Sequence, residues 1–188
     1  MNIGIDIDDT INDLHNILIK KVTEFNQKEN INYKIKANEW DWDKAFGWDD
    51  LMVRKFLDEN IKDAYLNAGI KENAAEVINK LRTEGNKIVI ITSRGEDHCK
   101  NIYEISEKWL KQKNVNFDEL IVGSRDKAKT CLENNIDVFI DDHVDFCKGV
   151  SELAKTRVFM FDSPYNQNEI EYKRVHNWNE VYRELMNN

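Results

Sequence analysis

Five short runs of β-branched and other apolar residues, at 2–7, 87–92, 120–123, 138–141 and 157–161, recur along this chain with amphipathic stretches between them. Runs of that length, apolar at successive positions, belong to strands buried on both faces, which requires a parallel sheet covered by helices on either side. The stretches between them supply the helices. Ala74, Val77, Ile78 and Leu81 share one face and are closed by Gly85; Ile102, Ile105 and Trp109 share another; a short pattern runs over 127–134, and Val181, Tyr182 and Leu185 mark a last helix. The alternation predicts an α/β fold, a Rossmann-like parallel sheet with helices on both faces.

One interval breaks the rhythm. About 79 residues separate the first run from the second, where a single crossover helix would suffice. Leu14, Ile17, Leu18, Val22 and Phe25 line one helical face inside it, and Val53, Phe56, Leu57 and Ile61 line another. The expected organisation is a core of residues 1–12 and 72–188 with a small helical cap, 13–71, inserted after the first strand.

Composition narrows the function classes. With 41% apolar residues among 188, the chain can bury one core plus a modest insertion. Its 27 basic and 35 acidic residues leave a net charge of −8 with no basic cluster, which argues against binding a nucleic-acid polymer or an anionic membrane surface. The longest apolar runs, Ile88 to Ile91 and Val158 to Phe161, fall far short of the roughly 20 residues of a membrane-spanning helix. The first residues run directly into Asp6, so no secretory signal is expected. Cys99, Cys131 and Cys147 are scattered, as are the four histidines, which suits reduced thiols in a cytoplasmic protein better than disulfides or a zinc site.

In open parallel sheets ligands bind at the carboxyl ends of the strands, so the residues found there are read as a set. The first run ends Asp6-Ile7-Asp8-Asp9-Thr10, the second Thr92-Ser93-Arg94 and the fourth Asp141-Asp142, while Arg125-Asp126-Lys127 follows the third. Carboxylates converging from two strand ends repel one another unless a divalent cation lies between them, and hard oxygen ligands together with a substrate phosphate select Mg²⁺. In that setting Asp6 can attack phosphorus as a nucleophile. Asp8 can protonate the leaving oxygen and then deprotonate the water that breaks the acyl phosphate. Thr92 would hydrogen-bond a phosphoryl oxygen, Lys127 would offset charge, and Asp142 would hold the metal. Each segment alone has an ordinary explanation, because Asp, Thr and Ser cap turns and helix starts. The ordered combination is what carries the chemistry.

At these residues the chain resembles the haloacid-dehalogenase superfamily of aspartate-nucleophile phosphatases, whose four motifs are matched in order by Asp6 to Thr10, Thr92, Lys127 and Asp141-Asp142. The resemblance implies Asp6 as nucleophile and metal ligand, and Asp8 as acid/base and, through its main-chain carbonyl, metal ligand. It further implies Asp142 as the third protein ligand of Mg²⁺, with Asp141 and Asp145 supporting the metal's water shell. Ile91-Thr92-Ser93-Arg94, Arg125-Asp126-Lys127, Ile140-Asp141-Asp142 and Arg174-Val175-His176-Asn177-Trp178 resemble more narrowly the 5′(3′)-deoxyribonucleotidase-like branch, which also inserts a helical cap after the first strand. That branch implies a nucleoside monophosphate, often a deoxynucleotide, as substrate. Lys127 precedes Asp141 by 14 residues, a longer spacing than in the vertebrate enzymes of that branch, so Lys129 stands as the alternative.

Trp40, Trp42, Phe46 and Trp48 cluster in the cap, where rings can either stack on a nucleobase or pack the cap interior. Phe46 and Trp48, flanking Gly47, are the pair singled out for substrate contact, with Ser93, Arg94 and Arg125 reserved for the phosphate. Two alternatives stand beside the nucleotidase: a phosphatase for a sugar phosphate or other small phosphorylated metabolite, and a phospho-accepting signalling module.

Overall fold

The computed structural model describes residues 1–153 and 155–186. Its strands are β1 (Asn2–Ile5), β2 (Lys87–Ile91), β3 (Glu119–Ile121), β4 (Val138–Asp141), β5 (Arg157–Phe161) and β6 (Lys173–Val175), joined in one sheet of order β3-β2-β1-β4-β5-β6. Every neighbouring pair is parallel. The chain runs outward from β1 through β2 to β3, then crosses back to lay β4 against the other side of β1. Strand order therefore reverses between β1 and β4, and the crevice such a reversal opens lies where Asp6 and Asp141-Asp142 emerge.

Alternation along the strands divides the core. Ile88 and Ile90 join Ile3, Ile5 and Ile140 on one face, beneath α4 (Ala74–Thr83) and α8 (Trp178–Met186), which contribute Ile78, Leu81, Trp178 and Val181. Val89, Ile91 and Phe139 face the other way with Cys131 of α6 (Lys127–Glu133) and Val150 of α7 (Val144–Ser151). Gly4 sits where β1 is crowded: a Cβ there would lie 3.1 Å from both Ile136 and Ile91 and 3.2 Å from Phe139, so a larger residue would press these side chains back by a few tenths of an ångström. Helix α5 (Ile102–Gln112) seals β3 through Trp109 and Leu110. Three short elements stand beyond those expected from the sequence: helix α2 (Trp42–Phe46), α7 and the three-residue edge strand β6.

The long interval after β1 folds as α1 (Leu14–Lys28), α2 (Trp42–Phe46) and α3 (Asp50–Asn67). These helices bury a cluster of their own, Val22, Phe25, Ala45, Phe46, Trp48 and Phe56, with Trp48 Nε1 donating to Asn26 Oδ1 at 2.8 Å. Where the chain leaves and re-enters the sheet layer, Asp13 N donates to the Gly69 carbonyl at 3.0 Å and Lys71 N to the Ile11 carbonyl at 2.9 Å. Among the described residues no helix is long and apolar enough to cross a membrane.

Candidate active site

The site begins where β1 ends. Asp6 N donates to the Ile140 carbonyl at 3.0 Å, which extends the β1–β4 ladder one residue and fixes the Asp6 side chain at the crevice. The chain then turns sharply: Asp9 adopts a positive φ of 55°, and Ile11 N and Asn12 N both donate to the Ile7 carbonyl. That turn aims Thr10 Oγ1 back at Asp142 Oδ1, 3.0 Å away. From the other strand, Asp141 Oδ1 accepts from His143 N at 2.8 Å. Asp6, Asp141 and Asp142 are all buried and each offers a carboxylate oxygen within 4.8 Å of the others.

Lys127 reaches this cluster from the first turn of α6, which Asp126 caps by accepting from Lys129 N. Its ammonium donates to Asp6 Oδ1 at 2.5 Å and to Asp141 Oδ2 at 2.6 Å, with only 1% of the side chain exposed. Burial alone would drive the proton off Lys127, but Asp141 and Asp6 outweigh it and hold the amine charged. One cation does not balance three acids. Burial pushes Asp6 up to about 7 against the pull of Lys127, with Asp141 and Asp8 adding to the rise. Asp142 is also raised well above the carboxylate range by burial, then by Asp141, Asp9 and Asp6. An all-oxygen donor set with surplus negative charge in a buried crevice fits a hard divalent cation such as Mg²⁺.

The remaining expected residues divide. Thr92 is buried at the end of β2 and its Oγ1 accepts from Arg94 N at 3.2 Å, leaving the hydroxyl proton free to donate. Ser93 is exposed and lines the same cavity as Asp6, Asp8 and Lys127. Lys129, the alternative lysine, points to the surface toward Glu133, 3.8 Å away. Arg125 is exposed and paired with Asp97. Asp145 is exposed and lies outside the carboxylate cluster. Asp8 does not turn its carboxylate to the cluster; it is held by Arg94 at 2.5 and 2.9 Å.

The cavity above these acids measures about 310 Å³, at the lower end of the roughly 300–1,000 Å³ typical of small-molecule sites. Beside the acids its lining is largely apolar and aromatic, including Leu14, Leu18, Trp40, Phe46, Tyr65 and Phe146. Phe46 reaches it; Trp48 does not, because it is 3% exposed and locked among Phe25, Phe46 and Phe56 in the interior of the inserted helices. The tryptophan that does face the cavity is Trp40, half exposed, its ring 4.3 Å from His143 and 5.0 Å from Tyr165. Trp40→Ala is accordingly expected to raise KM several-fold with the thermal midpoint nearly unchanged, as initial-rate kinetics and a melting curve will read.

Tyr165 is the residue that sequence reasoning did not reach. Its hydroxyl bonds Asp142 and lies 3.1 Å from Asp9 Oδ2, while Asn166 donates to the Asp142 carbonyl at 2.8 Å. Asp9 itself is pushed up to about 7 by burial. The signal was present: the loop Asp162-Ser163-Pro164-Tyr165-Asn166 follows β5, and comparing strand ends as far as the fifth strand would have included it.

Comparison with known proteins gives a consistent set of matches. The family model described as 5′ nucleotidase, deoxy (Pyrimidine), cytosolic type C protein matches residues 1–187. The Bacillus subtilis (strain 168) protein named "Putative nucleotidase YqfW" is 27% identical over 191 residues, spanning 100% of this chain and 95% of that protein. A nucleotidase of Clostridium acetobutylicum is 28% identical over 193 residues, covering 97% and 92% of the two chains. Among solved structures, a haloacid dehalogenase-like family hydrolase of Streptococcus pneumoniae superposes with a TM-score of 0.74 over 98% of each chain at 12% identity, a likeness of fold.

Proposed function

The chain belongs to the 5′ nucleotidase, deoxy (Pyrimidine), cytosolic type C family and is a nucleotidase-type phosphatase of the haloacid-dehalogenase superfamily, and from that premise we propose that it hydrolyses nucleoside monophosphates, deoxynucleotides among them, through a phosphorylated Asp6 with Mg²⁺ bound. As a nucleotidase it is not a phospho-accepting signalling module. The observation that carries the finer reading is the mixed lining of one cavity. Asp6, Lys127 and Asp142, suited to a phosphate and its counterion, share its wall with Trp40, Phe46 and Leu18, suited to a flat apolar base.

In this reading Asp6 attacks phosphorus as the bond to the ester oxygen breaks, and Asp8 delivers a proton to that departing oxygen. Thr92 and Ser93 donate to the phosphoryl oxygens, and Lys127 offsets the charge gathered on Asp6 and the transferring group. Asp8, now ionised, takes a proton from the incoming water, which displaces phosphate and frees Asp6. Asp6 and Asp142, with the main-chain carbonyl of Asp8 and with Asp141 alongside, would hold Mg²⁺, which when bound neutralises charge between carboxylates and phosphate. Residues 13–71 act as a cap that covers substrate and keeps bulk water from the acyl phosphate. The family's cytosolic description and the three unpaired, buried thiols support a cytoplasmic setting and a small phosphate ester as partner.

The test is phosphate release over a panel of ribo- and deoxyribonucleoside monophosphates and sugar phosphates, with Mg²⁺ and with EDTA. Expected is Mg²⁺-dependent turnover with kcat/KM highest for a deoxynucleoside monophosphate. Sugar phosphates preferred by a wide margin would remove the base-stacking role of the aromatic wall.

A further inference from the structure

We propose that Arg94 is a positioning residue for the acid/base Asp8 and takes no part in holding the substrate phosphate, an inference that rests on the role of Asp8 given above. Arginine just past a phosphate-binding threonine is an obvious candidate for the phosphate itself, and the geometry argues otherwise. Arg94 is 2% exposed and does not line the cavity that holds Asp6, although its neighbour Ser93 does. It lines a smaller adjoining cavity with Asp8, Ser93 and Tyr65, and Thr92 is likewise buried and off the main wall, so the direction of its donors decides the role of Arg94. Three of its five N–H donors have partners within the protein, two of them on Asp8. Nε lies 2.9 Å from Asp8 Oδ2, Nη2 lies 2.5 Å from Asp8 Oδ1, and Nη1 lies 3.3 Å from Ser106 Oγ. This two-pronged pairing fixes both the plane and the rotation of the Asp8 carboxyl, which a lysine's single point charge would not. Asn12 Nδ2 adds a donor to Asp8 Oδ1 at 3.0 Å.

The face of the guanidinium is covered by Tyr65, whose ring centroid is 4.0 Å from the Arg94 Cζ. Tyr65 belongs to α3, within the inserted helices, whereas Arg94 and Asp8 belong to the sheet's carboxyl edge. The cap therefore bears directly on the residue that sets the acid/base. Phosphate attack by Asp6 and protonation of the ester oxygen by Asp8 occur in one displacement, so a misaligned Asp8 slows that step in proportion to how much the leaving oxygen needs its proton.

That dependence supplies the experiment. Phenyl phosphate and para-nitrophenyl phosphate have nearly the same shape, but the nitrophenolate departs readily without a proton and the phenolate does not. In Arg94→Lys, kcat/KM for phenyl phosphate is expected to fall about ten times more than for para-nitrophenyl phosphate, a fraction of the roughly 10²–10⁴-fold that general acid catalysis supplies. Tyr65→Leu, which keeps the pair and removes its cover, should show the same bias to a smaller degree, and it carries the test if Arg94→Lys does not fold. Equal losses on both esters, or a raised KM with kcat unchanged, would overturn the proposal and return Arg94 to phosphate binding or to the fold. Asp8→Asn is the control. If it shows the bias and the Arg94 and Tyr65 variants do not, Arg94 alone has been misassigned; if Asp8→Asn shows none, the acid/base role of Asp8 is wrong, and the positioning role with it.

Discussion

Asp6→Asn is expected to abolish turnover and leave the fold standing. Asparagine has the shape of aspartate, but its amide is a poor nucleophile toward phosphorus and cannot carry a phosphoryl group, so kcat should fall by roughly 10³-fold or more. Stability is a separate matter. Asp6 is buried, and burial together with the neighbouring Asp141 and Asp8 outweighs Lys127 in disfavouring its charge. Losing that charge relieves repulsion, while Lys127 keeps Asp141 as a partner at 2.6 Å. The two effects oppose, and the net change in unfolding free energy should stay within about 1–2 kcal/mol, well below the cost of stranding a buried ion. Purified variant, assayed for phosphate release and melted beside the wild type, reads both quantities. Acid-quenching with radiolabelled substrate should recover labelled protein from the wild type and none from the variant. Wild-type turnover by Asp6→Asn would remove the nucleophile from the mechanism.

How far the sequence alone led can be judged residue by residue. The parallel α/β sheet was legible because its central strands are buried on both faces, so Ile88 to Ile91 and Val138 to Ile140 leave no polar alternation to confuse with an amphipathic strand. β6 was not legible: Lys173–Val175 is three residues at a sheet edge, and only Val175 is buried. The acids at the strand ends were legible for the same reason as the strands, since their distance from an apolar run fixes their place at the carboxyl edge. Direction in space was not. Nothing in the spacing of Thr92-Ser93-Arg94 says that serine faces the cavity while arginine turns under it to Asp8. Nor does the cluster of cap aromatics reveal which ring is enclosed, because Trp40 and Trp48 differ only in their neighbours after folding: His143 and Tyr165 for one, Phe25 and Phe56 for the other. The choice between Lys127 and Lys129 turned on a helix start, where two residues of α6 rotate one lysine into the crevice and the other to solvent.

That same choice gives the second large effect. Lys127→Met keeps most of the length and apolar bulk of the stem and deletes the ammonium, which lies 4.5 Å from the ring centroid of Phe146 and 5.8 Å from that of Phe139. Asp6 and Asp141 would then confront each other in a buried crevice with no cation between them, and Asp142 stands within 4.8 Å of both. Removing one side of a buried ion pair typically costs about 3–5 kcal/mol, because the stranded charge remains desolvated. The variant is expected to lose stability of that order in urea denaturation with EDTA, and to lose activity as well, since nothing then offsets charge on the nucleophile. Mg²⁺ should return part of the lost stability, because an ion bound to the folded state alone stabilises it by mass action. Lys129→Met supplies the contrast: its ammonium sits at the surface 3.8 Å from Glu133, where an ion pair is screened, so neither stability nor turnover should change measurably. If Lys127→Met is as stable as the wild type without metal, the acids do not bear the charge assigned to them. The electrostatic case for a divalent cation at this sheet edge would then fail.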